Sequence, residues 1–132
     1  MIKDEIAELV KKSLNDTQYN SEVSFELTDD ILSRLSEKGF EISLSGYECV
    51  IRASEIRHIY KQHPDDVWLI TEIPNILKTF KSVKQSNTKD SQTGKPLINL
   101  EFYKSYDKKN IKLVKLRIFK NKRLELKTLF VQ

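Results

Sequence analysis

The first half of the chain alternates between helix-like and strand-like spacing of its apolar residues. A helical face near the N-terminus is predicted by apolar residues that recur about every 3.6 positions, namely Ile2, Ile6, Leu9, Val10 and Leu14. Polar residues over 15–22 predict a loop, and alternation over 23–27 predicts a short strand. A second helix is expected to begin at Thr28 or Asp29 and to end at Gly39, before another short strand over 40–44.

Two further helices are predicted before the pattern changes. Ser54 is a favourable N-cap for a helix that runs to about His63, where Pro64 ends it. A residue that precedes proline is driven out of the α region, so we expect His63 at the helix end or just beyond it. The second of these helices is predicted over 72–80, with Pro74 in its first turn.

After residue 80 the apolar residues recur at every second position, which indicates strands. Val83 lies in the first of these, a polar hairpin loop is expected over 87–96, and three longer strands follow over 97–106, 111–120 and 124–131. In the middle one the apolar phase slips, which predicts a bulge near Leu113. We therefore predict one α+β domain over 1–132, with a helical N-terminal part over 1–39 and a core over 40–132, in which the helices pack on a C-terminal antiparallel β-sheet.

Composition narrows the class of protein. With 132 residues and 39% hydrophobic content, the chain suits one domain with one core. The single cysteine, Cys49, cannot form an internal disulfide, which favours a reducing compartment. No run is long enough for a membrane span, and the N-terminus is too charged for a signal peptide. We expect the protein to act in the cytoplasm, after delivery within a larger secreted or phage protein if it leaves the cell of origin.

The net charge of +4 is unevenly spread, because 18 of the 23 Lys and Arg residues follow residue 49. A basic C-terminal two-thirds suits a polyanionic partner such as RNA. The alternative is that Lys-rich strands are simply well-solvated sheet edges, and composition alone slightly favours that alternative.

Four residues stand out because they are polar or titratable within otherwise apolar patterns. Lys104 and Thr128 interrupt the apolar faces of two strands, which suggests an anion site, although at such positions a snorkelling lysine and a backbone-bonded threonine are more common. His58 and His63 fall on different faces of an ideal helix, and each alone is more often a surface or capping residue than a catalyst.

Other chemistries have weaker support. Two His and one Cys without close spacing give no zinc signature, the glycines form no phosphate loop, and a catalytic thiol at Cys49 rests only on its nearness to His58. Two histidines with a lysine and a threonine do suit metal-free RNA cleavage, which needs a base, an acid and a stabilised phosphate. No cofactor is expected.

Several segments resemble the phage and polymorphic-toxin nucleases of the barnase–EndoU–colicin–RelE (BECR) superfamily. The most specific is GYECVIRASEIRHIYKQHP over 46–64, which matches a short strand, a helix with an I-R-H-I core and a second histidine five residues later. Weaker matches are IPNIL, a strand with FYK and the closing strand LELKTLF. Pro64 departs from the family, which usually has glycine there, and proline excludes a left-handed helix end.

The resemblance implies a metal-independent endoribonuclease that serves as a toxin or effector. It assigns catalytic roles to His58, His63, Lys104 and Thr128, and a phosphate contact to Arg57. Among the basic residues nearby, Lys61, Lys115 and Arg117 are further candidates for RNA binding. RNA, with tRNA as one candidate, is the expected substrate, and an acidic antitoxin or immunity protein is the expected partner. The rival hypothesis is a non-enzymatic binding module, either a degenerate member of the fold or an immunity or adaptor protein.

Overall fold

The architecture is that of a computed structural model, which describes residues 2–39, 43–106, 109–119 and 121–131, with the backbone alone at Tyr106 and over 109–115. Its α-helices are α1 Ile2–Asn15, α2 Asp29–Glu37, α3 Ala53–Gln62 and α4 Ile73–Thr79, and a 3₁₀ helix, Pro64–Glu72, joins the last two. Its strands are β1 Glu22–Glu26, β2 Glu48–Arg52, β3 Ser82–Lys89, β4 Pro96–Tyr106, β5 Lys109–Phe119 and β6 Arg123–Val131.

The six strands form one mixed sheet in the order β1-β2-β6-β5-β4-β3. Strands β3 to β6 make the predicted antiparallel meander, and the α+β class is confirmed. The sheet is larger than predicted, however, because β1 and β2 from the first half of the chain also join it. Strand β2 pairs with β6 in parallel over Glu48–Val50 and Arg123–Glu125, and β1 pairs antiparallel with β2.

The helices cover one face of the sheet. One buried cluster combines apolar residues of every described helix with Cys49, Ile51, Leu100, Phe102, Leu116, Leu124, Leu126 and Leu129 of the strands. Side chains alternate between the two faces of a strand, so the residues between these core positions point to the other face. We call this second surface the open face; it carries polar and charged residues that include Arg52, Asn99, Glu101, Arg117, Arg123 and Glu125.

Most predicted elements agree with the structure, and the differences have local causes. Thr28 occupies the N-cap position of α2, Pro74 lies in the first turn of α4, and the bulge near Leu113 is confirmed because Val114 and Lys112 pair with consecutive residues of β4. Ser54 is not an N-cap, because β2 leads directly into a helix that begins at Ala53.

Three further segments either differ from the sequence prediction or lie outside the described residues. The predicted hairpin loop over 87–96 is shorter, since β3 extends to Lys89 and β4 begins at Pro96. The 3₁₀ helix was not predicted. The strand predicted over 40–44 lies mostly outside the described residues.

Candidate active site along helix α3 and strand β6

Helix α3 runs beside the part of β6 that β2 does not pair. Near the start of the helix, the Glu55 carboxylate lies 3.4 Å from the ammonium of Lys127. Beyond its end, the His63 ring stacks on Phe130 with centroids 4.8 Å apart and planes 18° apart. The backbone N–H of Val131 then donates to the Asp66 carboxylate at 3.1 Å. We call this line of contact the α3–β6 seam, to which Glu55 and His63 contribute from α3 and its C-terminal end, and Lys127 and Phe130 from β6.

His63 lies just beyond the end of α3, as predicted from the proline that follows it. Its backbone is outside the α region, at φ −140° and ψ 66°, while its N–H still donates to the carbonyl of Ile59 at 2.7 Å. The next element begins at Pro64, and the carbonyl of His63 accepts a hydrogen bond from Asp66 N–H at 3.0 Å. These bonds on both sides hold the backbone, and the half-buried imidazole is held by its stack on Phe130.

His58 is exposed on α3 and does not share the face of His63. It follows Glu55 by three residues and therefore lies about 60° from it around the helix, on the solvent side of the seam. The rise from His58 to His63 is roughly 7–8 Å along the helix. The two imidazoles thus lie on different faces at the C-terminal half of α3, one exposed and one held by its stack. Tyr60, which the helical period placed with the apolar residues, is 48% exposed.

A bulge in β6 moves Thr128 off the core face of the strand. Thr128 pairs with Lys115, whereas Leu126 pairs with the next residue of β5, Leu116, so Lys127 is an extra residue. Leu126 and Leu129 are both buried in the core, which leaves Lys127 and Thr128 on the side away from it. Bulges of this kind re-aim side chains and are common beside active sites. Thr128 therefore lies two residues from Phe130, against which His63 stacks.

Lys104 lies at a different place in the sheet. It pairs with Ile111, which pairs with Val131, so two strand spacings, about 10 Å, separate its backbone from β6. It follows buried Leu100 and Phe102 on the helix-facing side, and its ammonium donates to the Thr79 hydroxyl of α4. Among the described side chains, Lys127 supplies a cation at the seam, and the sequence interpretation missed it although it directly precedes Thr128.

The predicted RNA-binding residues occupy three separate places. Arg57 donates to the backbone carbonyl of Tyr19 at 2.8 Å and ties α3 to the loop after α1, which is a structural role. Lys61 is exposed on α3. Arg117 lies on the open face, and the side chain of Lys115 is outside the described part of the chain.

Two arginines and two glutamates form an ion-pair network on the open face that the sequence interpretation did not identify. Arg52 Nε lies 3.1 Å from Glu125 Oε1, and Arg123 Nη2 donates to Glu22 Oε2 at 2.6 Å. Arg123 Nε is also 3.7 Å from the buried Glu125. The charges balance, and the network joins β1, β2 and β6, so it supports the unusual parallel pairing rather than offering free cations.

Cys49 has no part in the candidate chemistry. Its side chain is fully buried in the core, and burial raises the pKa of the thiol, so the nucleophilic thiolate is suppressed at neutral pH. We expect Cys49 in the native protein to react with a thiol reagent about 10³-fold or more slowly than in denaturant, because access requires opening of the core. Ellman assays with and without urea measure this ratio, and equal rates would contradict the burial.

Within the described ranges, no group of three or more His, Cys, Asp or Glu residues is arranged to hold a metal ion. None of the helices in the same ranges has the length and apolar character needed to cross a membrane. Comparisons of the chain with protein-family models, with curated proteins and with solved structures found no match.

Proposed function

We propose that the chain is a metal-independent endoribonuclease whose active site is the α3–β6 seam. The observation that carries the proposal is the stack of His63 on Phe130, which holds an imidazole against the β6 residue two positions from Thr128. The second imidazole is that of His58, which is exposed on a different face of α3. Two imidazoles, a hydroxyl and an ammonium are the kinds of group that RNA cleavage requires.

In the proposed reaction, one imidazole takes the proton of a ribose 2′-OH as that oxygen attacks the adjacent phosphorus. The bond from phosphorus to the 5′-oxygen breaks, and the other imidazole, protonated, gives its proton to the departing oxygen. The products are a 2′,3′-cyclic phosphate and a 5′-hydroxyl. Lys127 and the Thr128 hydroxyl stabilise the charge on the phosphate oxygens. Lys104 takes this role only for a substrate that also reaches β4.

The biological role in this proposal is that of a toxin or effector that acts on cellular RNA. The excess of basic residues after residue 49 favours binding of a polyanion. A nuclease of this kind needs a neutralising partner in the cell that makes it, and a basic surface favours an acidic one. Expression of the chain alone should therefore stop growth, and co-expression of the partner should restore it.

The direct test is incubation of the purified protein with total RNA or tRNA in excess EDTA. We expect cleavage that is unaffected by the chelator, with cyclic phosphate termini detected by mass spectrometry. The matched control is a variant with both His58 and His63 replaced by alanine, purified identically so that any contaminating nuclease is present in both. RNA left intact by the natural protein, or cut equally by the control, would refute the proposal.

A non-enzymatic binding module is the second candidate, and one observation favours it. Tyr60 of α3 and Trp68 of the 3₁₀ helix are 48% and 51% exposed, and large exposed aromatic side chains are enriched at protein interfaces. Harmless expression of the chain, together with intact RNA in the cleavage assay, is the result that this alternative predicts.

A further inference from the structure

Arg117 is held in place on the open face by a buried amide. Its Nε donates to Asn99 Oδ1 at 3.0 Å, and Asn99 Nδ2 lies 3.4 Å from the Thr88 hydroxyl on the neighbouring strand. Asn99 has no exposed surface. A buried amide requires hydrogen-bond partners, so this arrangement couples the position of the guanidinium to the packing of β3, β4 and β5.

The hydrogen bond from Arg117 Nε to Asn99 leaves the two Nη atoms of the guanidinium available for another partner. Among the described residues, neither Nη atom of Arg117 makes a hydrogen bond. A guanidinium presents parallel N–H groups that match two oxygens of a phosphate, and one held by a neighbour loses less entropy on binding. Arg117 is therefore both charged and prepared to bind an anion.

A shallow pocket adjoins this guanidinium at the hairpin between β3 and β4. Its lining includes Thr88, Lys89, Ser91 and Gln92 as well as Arg117. Asp90 also lines it, but its carboxylate accepts hydrogen bonds from Gln92 N–H at 2.8 Å and Thr93 N–H at 3.1 Å. These two bonds, more than the charge of Arg117, lower the pKa of Asp90. The carboxylate is thus engaged within the loop, while Lys89 and Arg117 supply two cations.

The pocket lies within reach of the seam. Arg117 pairs with Glu125 on β6, and Thr128 follows three residues later on the same face. That separation is about 10 Å along the strand and about 5 Å across it. A single RNA strand that contacts Thr128 can therefore extend over the open face toward Arg117.

We propose that the Arg117 pocket binds a backbone phosphate of the RNA, on a nucleotide outside the one that is cleaved. The inference rests on the proposed function for its substrate class and adds the direction in which the strand runs, from the seam across the open face to the β3–β4 hairpin. Arg117 would fix the strand's position, and it would take no part in bond cleavage.

The test measures binding with a probe that cannot be cleaved, a fluorescent single-stranded RNA whose ribose 2′-hydroxyls are all methylated. Arg117→Lys keeps the charge but loses the parallel N–H groups of the guanidinium and the bond to Asn99. We expect the Kd of this variant for the probe to rise about tenfold. Arg117→Gln should in addition reduce the slope of log K against log salt by about 0.7, the value for one phosphate on a single strand. Lys11→Gln makes the same charge change at an exposed position of α1 and should leave both the Kd and the salt slope unchanged.

The results that would contradict the Arg117 site differ from those that would contradict the nuclease proposal. An unchanged Kd in Arg117→Gln would show that the pocket does not bind the RNA. Full binding by Arg117→Lys would show that the guanidinium held by Asn99 is not required. If the Arg117 variants fail to fold, Lys89→Gln, a change at an exposed position of the same pocket, should also reduce the salt slope. If the natural protein binds the probe through Arg117 but leaves unmodified RNA intact, the binding site stands and the nuclease proposal fails. No binding of the probe at all overturns the site.

Discussion

His58→Ala is expected to lower RNA cleavage in EDTA about 10²–10⁴-fold, the usual contribution of a general acid or base. Because His58 is exposed, its removal should change the free energy of unfolding by no more than about 0.5 kcal/mol. Loss of activity would therefore reflect lost proton transfer and not a damaged fold. Initial cleavage rates of a short defined RNA, together with urea unfolding curves, provide both measurements.

The matched control is Gln62→Ala, which removes an exposed polar side chain one helical turn from His58 and is expected to leave cleavage unchanged. His63→Ala gives a useful contrast, because it removes both an imidazole and the stack on Phe130. It should lose activity to a similar degree and also some stability. Full activity in His58→Ala would exclude this residue from the reaction, whatever the result for His63.

The local elements of the fold could be predicted because they depend on spacing and on single residues. The apolar stripe of α1, the left-handed Gly39 just after α2 and the non-helical backbone of His63 before Pro64 all follow from short-range physics. The pairing of β2 with β6 could not be predicted in this way. It joins strands more than 70 residues apart in parallel and depends on tertiary packing and on ion pairs such as Arg52 with Glu125.

The candidate site could be predicted only in part, for the same reason. The helical period separates His58 from His63, and the structure keeps them apart in exposure. Simple alternation also assigned Thr128 to the apolar face of Leu124 and Leu126, but the β6 bulge moves it off that face together with Lys127. Lys104 stays on the helix-facing side, bonded to Thr79. The bulge thus places Lys127 next to the threonine on the face away from the core.

Phe102→Ala is expected to destabilise the fold by about 3–5 kcal/mol, a large part of the roughly 5–15 kcal/mol that stabilises a domain of this size. Phe102 is buried on β4, and its ring meets that of Phe80 edge to face with centroids 5.0 Å apart. Phe80 in turn has the Arg34 guanidinium 5.1 Å from its ring centre, and its carbonyl accepts a hydrogen bond from Arg34 Nε at 2.8 Å. A cavity at Phe102 therefore loosens the contact between the sheet and both α2 and α4.

Urea unfolding at constant pH measures this loss, and Phe102→Leu is the matched variant. Leucine retains most of the apolar volume and should cost much less than alanine, because the cavity is smaller. The ring pair itself can be isolated with Phe80→Leu and the double variant, for which a coupling of about 0.5–1.5 kcal/mol is expected. If alanine at 102 costs no more than leucine, the residue does not bridge α4 and β4. The helix layer would then have to be held on the meander by the aliphatic contacts alone, around Leu77 and Leu100.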